Sequence, residues 1–234
     1  MVVSLSSPPR VKICGHTHEA DIEISVDAGA DAVGVIAEVP VETPREVPPD
    51  QARDLIETVP PFVTGVLVTM PSSPDDVAPL VETVRPDAVQ VHAGLTPDEL
   101  EDLYDRVSVP LIGAVDGSAT DRIDEYAAVA DALLLDSLDE AGAGGTGRTH
   151  DWDAARQAAD SLSTPLVLAG GLTPDNVGDA VETASPYAVD VASGVEDEPG
   201  RKNPDAVRRF VQEAKDGPPA ERGESDSRAE VDFQ

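Results

Sequence analysis

Short apolar runs rich in β-branched residues recur along the chain, separated by longer stretches in which apolar positions follow helical spacing. The runs are VKIC (11–14), AVGVIA (32–37), FVTGVLV (62–68), AVQVH (88–92), PLIGAV (110–115), ALLLD (132–136), PLVLA (165–169) and AVDVA (188–192). Each is apolar at nearly every position, not at alternate ones, which predicts parallel strands buried on both faces. Between them, SPDDV (73–77), TPDEL (96–100), TPDNV (173–177) and NPDAV (203–207) each supply a capping residue, a proline and then an acid. That order predicts four helix starts, with the proline in the first helical position. Downstream of the last, Val207, Phe210, Val211 and Ala214 fall on one helical face.

Eight strands alternating with helices, about 25 residues to a unit, predict an α/β fold with a single (β/α)8 TIM barrel over residues 10–216. A doubly wound sheet could hold eight strands, but its Gly-rich phosphate loop usually follows the first strand. Here the first strand runs into CGHTHEAD (14–21). Residues 1–9 are expected to form a flexible extension. The final stretch, GPPAERGESDSRAEVDFQ (217–234), is expected to be a disordered acidic tail, because it is Pro/Gly/charge-rich and has no periodicity.

Charge changes the picture most. Sixteen Lys and Arg stand against 46 Asp and Glu, giving a net charge of −30 over 234 residues. The acids are spread along the whole chain, as expected of a solvated surface adapted to high salt, where screening removes self-repulsion. Nucleic acid and anionic membranes are excluded as natural partners, and a small-molecule ligand is expected. A single cysteine excludes an internal disulfide framework. No apolar stretch is long enough to span a bilayer, and the N-terminus lacks the pattern of a secretory signal, so a cytoplasmic location is expected. Oligomeric state stays open between monomer and homodimer.

In a barrel of this kind, function collects at the C-terminal ends of the strands. The residues there are Cys14, Arg45 in the loop after the second strand, His92, Asp136, GGLTPDN (170–176) and SGVEDEPG (193–200). The loops after the seventh and eighth strands are the usual phosphate site of such barrels, which makes Gly170, Gly171, Ser193 and Gly194 phosphate-binding candidates through their backbone N–H groups. A further Gly-rich run, GAGGTGRT (142–149), fits the dinucleotide fingerprint over six letters and nearly fits the P-loop, with Arg148 in place of lysine. Its position after the sixth strand suits neither motif. It is expected to be a lid or phosphate wall, with Gly147 contacting substrate. His16 and His18 form an H-x-H pair without a nearby third ligand, so no metal is expected.

Taken together, VKICG, TPREVPPDQAR (43–53), LLLDS (133–137), GGTGRTHDW (144–152), LAGGLTPDNV (168–177) and VDVASGVEDEPGRKNP (189–204) resemble the phosphoribosylanthranilate isomerase family of tryptophan biosynthesis. The likeness spans about residues 10–215 in order. It implies an Amadori rearrangement of N-(5-phosphoribosyl)anthranilate, without metal or cofactor. It also implies Cys14 as general base, Asp136 as general acid and Arg45 as the holder of the anthranilate carboxylate. Two departures stand out: GVIA (34–37) replaces a commonly aromatic stretch, and His16 occupies a usually aliphatic position. Two other readings remain, a non-catalytic phosphosugar-binding protein and an isomerase of a related phosphoribosyl substrate. The second is disfavoured because such enzymes use two carboxylates.

Two physical expectations complete the reading. A thiolate base near neutral pH calls for nearby positive charge that lowers the Cys14 pKa. Alternation along the first strand puts Lys12 on the same face as Cys14, and closure sets the eighth strand beside the first. Lys12 and Asp190 are therefore expected to form a buried pair.

Overall fold

The computed structural model describes residues 7–92, 94–116, 122–136 and 152–216. Eight strands, β1 (Arg10–Ile13), β2 (Ala32–Ile36), β3 (Thr64–Thr69), β4 (Ala88–His92), β5 (Leu111–Asp116), β6 (Ala132–Asp136), β7 (Leu166–Ala169) and β8 (Ala188–Val191), pair in parallel and in sequence order. β8 pairs back onto β1, closing the barrel. Helices α1 (Glu19–Asp27), α2 (Pro49–Glu57), α3 (Pro74–Val84), α4 (Pro97–Tyr104), α5 (Ile123–Ala127), α6 (Trp152–Ser161), α7 (Val177–Ala184) and α8 (Pro204–Asp216) alternate with them. Between β8 and α8 the chain makes a 3-10 turn (Ser193–Val195) and a small hairpin of β9 (Glu196–Glu198) and β10 (Arg201–Lys202).

The continuous apolar runs are explained by burial on both faces: every residue of β7 and β8 is buried. Side chains alternate between the barrel interior and the layer beneath the helices. Val66, Val68 and Ala88 fill one side of the interior, and Leu134, Val167, Ala169 and Ala188 the other, with Ile112 touching both groups. Outside the sheet, Val11, Ile13, Val33 and Val35 join helix residues such as Ile22, Val207 and Phe210 in the main core. No helix among the described residues is long and apolar enough to cross a membrane.

Three of the four expected helix starts hold. Ser73 accepts from the Asp75 N–H, Thr96 and Glu99 form a reciprocal capping box, and the Asn203 side chain accepts from the N–H groups of Asp205 and Ala206. The fourth is displaced. α7 begins at Val177, because Asn176 Oδ1 accepts the Thr173 N–H at 2.7 Å and the Thr173 carbonyl accepts from Asn176 and Val177, closing a turn first. The third strand also starts late, at Thr64 rather than residue 62. Pro60 and Pro61 lack N–H donors, and Phe62, fully exposed at φ 75, is in the left-handed region that a strand cannot use. The expected tail and residues 1–6 lie outside the described residues.

Candidate active site

β1 delivers the thiol. The Cys14 N–H donates to the Val191 carbonyl at 2.8 Å, so the pairing with β8 continues one residue past Ile13. Two residues earlier, Lys12 stands in register with Asp190, and its Nζ donates to Asp190 Oδ2 at 3.0 Å, with both side chains buried. The expected pair is therefore present. What the sequence did not announce is the space it needs. A Cβ at position 34 would lie 2.7 Å from Cys14 Sγ and 3.1 Å from Lys12 Nζ. Gly34 on β2 is what lets the thiol and the ammonium occupy the interior together. Gly34→Ala should destabilise the fold by about 1–3 kcal/mol through overpacking of the thiol and the ammonium. A melt that matches the wild type would remove that role.

The electrostatics of the thiol differ from expectation. Burial pushes the Cys14 pKa up, and the opposing pull of Lys12 and Lys202 does not overcome it. Asp190 adds to the rise and offsets much of the Lys12 field. Burial works against the charge of Lys12, but the Asp190 carboxylate beside it holds the ammonium charged. The resting thiol is thus protonated, not pre-ionised.

Asp136 ends β6, three strands from β1 by way of β8 and β7, so acid and thiol reach the mouth from different sides of the ring. Its Oδ2 lies 3.5 Å from Nε2 of His92, at the end of β4. Sequence reading placed His92 at a strand end without a role; the fold gives it one carboxylate neighbour in the mouth.

Arg45 arrives from the β2–α2 loop. Gly15, at φ 78, lets its stem pass: a Cβ there would lie 2.8 Å from Arg45 Cδ. The guanidinium donates from Nε to Glu196 Oε1 at 2.9 Å and from Nη2 to Oε2 at 2.6 Å. Lys202 Nζ donates to the same Oε1 at 2.9 Å and to the Ala192 carbonyl at 3.0 Å. Glu196 and Lys202 were missed as functional candidates. Both lie inside the quoted VEDEPGRKNP stretch, but their partner lies some 150 positions earlier, in a loop whose position only the closed barrel fixes.

Gly170 and Gly171 sit at φ 89 and 59, and Ser193 opens the 3-10 turn after β8. At Gly194 a Cβ would fall 1.9 Å from the Leu172 carbonyl oxygen. Close approach of the two loops thus dictates glycine there whatever ligand they face. Gly147, with all of GAGGTGRT, lies outside the described residues.

Among the described residues no cluster of three or more His, Cys, Asp or Glu is arranged to hold a metal. His16 is committed elsewhere. Its Nδ1 lies 3.2 Å from the Gly34 carbonyl, which can only accept, so Nδ1 carries a proton, and its Nε2 lies 2.8 Å from Oγ of Ser25, whose hydroxyl donates to the Asp21 carbonyl. Burial pushes its pKa down to about 3, with Lys202 adding to the fall. The unfolded chain takes up this proton near pH 6.5 and the folded chain only near 3. Stability contributed by neutral His16 is therefore present above pH 6.5 and lost as pH falls towards 3, at about 1.4 kcal/mol per pH unit. His16→Leu should remove that slope relative to the wild type in denaturant titrations across this window. Parallel pH profiles for the two proteins would contradict the assignment.

The chain matches the family model described as N-(5'phosphoribosyl)anthranilate (PRA) isomerase over residues 11–213. It belongs to that family. It is similar to the N-(5'-phosphoribosyl)anthranilate isomerase of Natronomonas pharaonis, with 57% identity over 205 residues, covering 88% of this chain and 97% of the relative. Among solved structures, the phosphoribosyl anthranilate isomerase from Thermotoga maritima superposes with a TM-score of 0.78 at 36% identity, covering 88% of this chain and 98% of that one. A phosphoribosyl anthranilate isomerase in complex with reduced 1-(o-carboxyphenylamino)-1-deoxyribulose 5-phosphate gives 0.75 at 34% identity, covering 88% and 98%. The stretch matched to the isomerase family contains Cys14, Arg45, Asp136, Glu196 and Lys202.

Proposed function

We propose that this chain catalyses the Amadori rearrangement of N-(5-phospho-β-D-ribosyl)anthranilate to 1-(2-carboxyphenylamino)-1-deoxy-D-ribulose 5-phosphate in tryptophan biosynthesis. The observation that carries the reading is the family match across the whole barrel, with a thiol and a carboxyl group at the ends of β1 and β6. In this reading Asp136 gives its proton to the furanose ring oxygen. The C1′–O bond breaks, and the nitrogen lone pair forms a protonated Schiff base. Cys14, as thiolate, takes the C2′ proton, and the C–H electrons flow to nitrogen to give an enolamine that tautomerises to the ketone. The Schiff base brings a positive charge beside Cys14, which favours thiolate at the step that needs it. Every transfer is of a proton, so the chemistry calls for no cofactor.

The phosphate is assigned to the loops after β7 and β8, through Gly170, Gly171, Ser193 and Gly194, and Gly147 is assigned a further substrate contact. Arg45 is assigned to the anthranilate carboxylate. A charge-assisted contact is worth about 1.5–3 kcal/mol, so Arg45→Ala should raise KM roughly 10- to 150-fold and change kcat far less. An unchanged KM would place the carboxylate elsewhere. The acidic surface suits the proposal of a cytoplasm of high ionic strength, and neither nucleic acid nor membrane is a partner in this reading. The deciding assay follows the fluorescence of phosphoribosylanthranilate generated in situ. Loss of signal on adding purified chain supports the function, and a persistent signal sinks it.

A further inference from the structure

Arg45, Glu196 and Lys202 form a group of two cations and one anion at the barrel mouth. The side chain of Glu196 is 4% exposed and that of Lys202 is fully buried, while Arg45 keeps 22% of its side chain exposed. Glu196 remains ionised there: burial works against its charge, but hydrogen bonds from Arg45 and Lys202 bring its pKa below the ordinary value. The group carries one surplus positive charge within a chain of net charge −30. A guanidinium has five N–H donors in a rigid fork. Glu196 takes Nε and one N–H of Nη2, which leaves three donors open among the described residues, both N–H groups of Nη1 and the second of Nη2, at the Nη1 end of the fork.

This arrangement admits two opposite functions. A carboxylate that grips an arginine in two places can aim its remaining donors at a ligand. It can equally compete with the ligand for the same arginine. The geometry favours the first. Glu196 engages the Nε edge and leaves the Nη1 end, and it is itself pinned by Lys202, whose Nζ is anchored to the Ala192 carbonyl just past β8. A competitor must swing away when the ligand arrives. A buried carboxylate fixed by two cations cannot do so without leaving Lys202 unpaired.

We propose that Glu196 is a positioning residue for carboxylate recognition: it orients Arg45 so that the Nη1 end meets the carboxylate of the substrate, and Lys202 holds Glu196 in place. The inference rests on the reading of Arg45 as the carboxylate ligand and adds the machinery behind it. It ties ring recognition, through the β2–α2 loop, to the segment that follows β8. Neither Glu196 nor Lys202 touches the ligand in this scheme.

The test measures binding, by calorimetry on the full chain, of reduced 1-(2-carboxyphenylamino)-1-deoxyribulose 5-phosphate and of its counterpart lacking the ring carboxylate. The ratio of the two affinities reports carboxylate recognition alone. Glu196→Gln should lower that ratio about tenfold or more, chiefly by weakening the carboxylate-bearing ligand. The double variant Glu196→Gln/Lys202→Met keeps the surplus charge of the group at one while removing the partly unpaired lysine, and should show the same collapse if the single variant folds poorly. A ratio that rises in Glu196→Gln would make Glu196 a competitor and overturn the proposal. Equal weakening of both ligands would reduce Glu196 to a structural role and overturn it as well. Arg45→Ala separates the two layers: if it leaves the ratio intact, the reading of Arg45 itself fails, whereas a collapse in Arg45→Ala without one in Glu196→Gln removes only the positioning role.

Discussion

Cys14→Ala and Asp136→Asn should each lower kcat by at least about 10²-fold, the usual scale for a general acid or base, with far smaller changes in KM. The reason for the split is that neither side chain is assigned to binding; each acts only as a proton moves. Near-wild-type turnover in either variant would reassign the chemistry. The buried thiol adds a pH signature. The active form pairs protonated Asp136 with the Cys14 thiolate. Its fraction is constant between the two pKa values and falls outside them, so kcat/KM should be bell-shaped. Because burial raises the thiol, the alkaline limb should lie above the ordinary thiol value of 9.0. An alkaline limb below that value would show that the thiol is activated after all.

How much of this was legible in the sequence depended on the range of the interaction that decides each feature. The strands were readable because a parallel strand covered on both faces needs apolar residues throughout, as in ALLLD, and the observed β6 has the same bounds. The Lys12–Asp190 pair was readable because closure of the barrel and strand alternation are topological rules that fix neighbours 178 positions apart. The start of α7 was not, because Asn176 and Thr173 offered rival local hydrogen bonds that the same letters permit. Glu196 and Lys202 were hidden for a different reason. In a chain this acidic a charged pair in a loop looks like surface, and only tertiary packing shows that both are enclosed. Gly34 read as an ordinary strand residue until the atoms it makes room for were in place. The rise of the thiol pKa was not legible, because the cation two residues away and its carboxylate partner were visible but the depth of the thiol's burial was not.

Lys12→Met should destabilise the fold by about 3–5 kcal/mol, because it strands a buried carboxylate. Among the described residues Asp190 has only Lys12 to satisfy it: Oδ2 accepts from Nζ at 3.0 Å, and Oδ1 is buried without a hydrogen-bond partner. Removing the ammonium leaves neither oxygen satisfied, and the carboxyl must take up a proton or admit water. Asp190→Asn is expected to be milder, since its amide oxygen still accepts from Lys12, although the lysine then loses its counter-charge. The Lys12→Met/Asp190→Asn double variant leaves no buried ion and should be damaged less than the sum of the singles. The pair also bears on chemistry, because Lys12 is the cation that acts most strongly on Cys14 and favours its thiolate. In any Lys12→Met protein that folds, the thiol should titrate higher, moving the alkaline limb of kcat/KM upward. Stability and pH profile thus report one contact by independent routes. Additive losses in the denaturant cycle would show that the two side chains do not interact, and an unmoved alkaline limb would show that Lys12 does not act on the thiol.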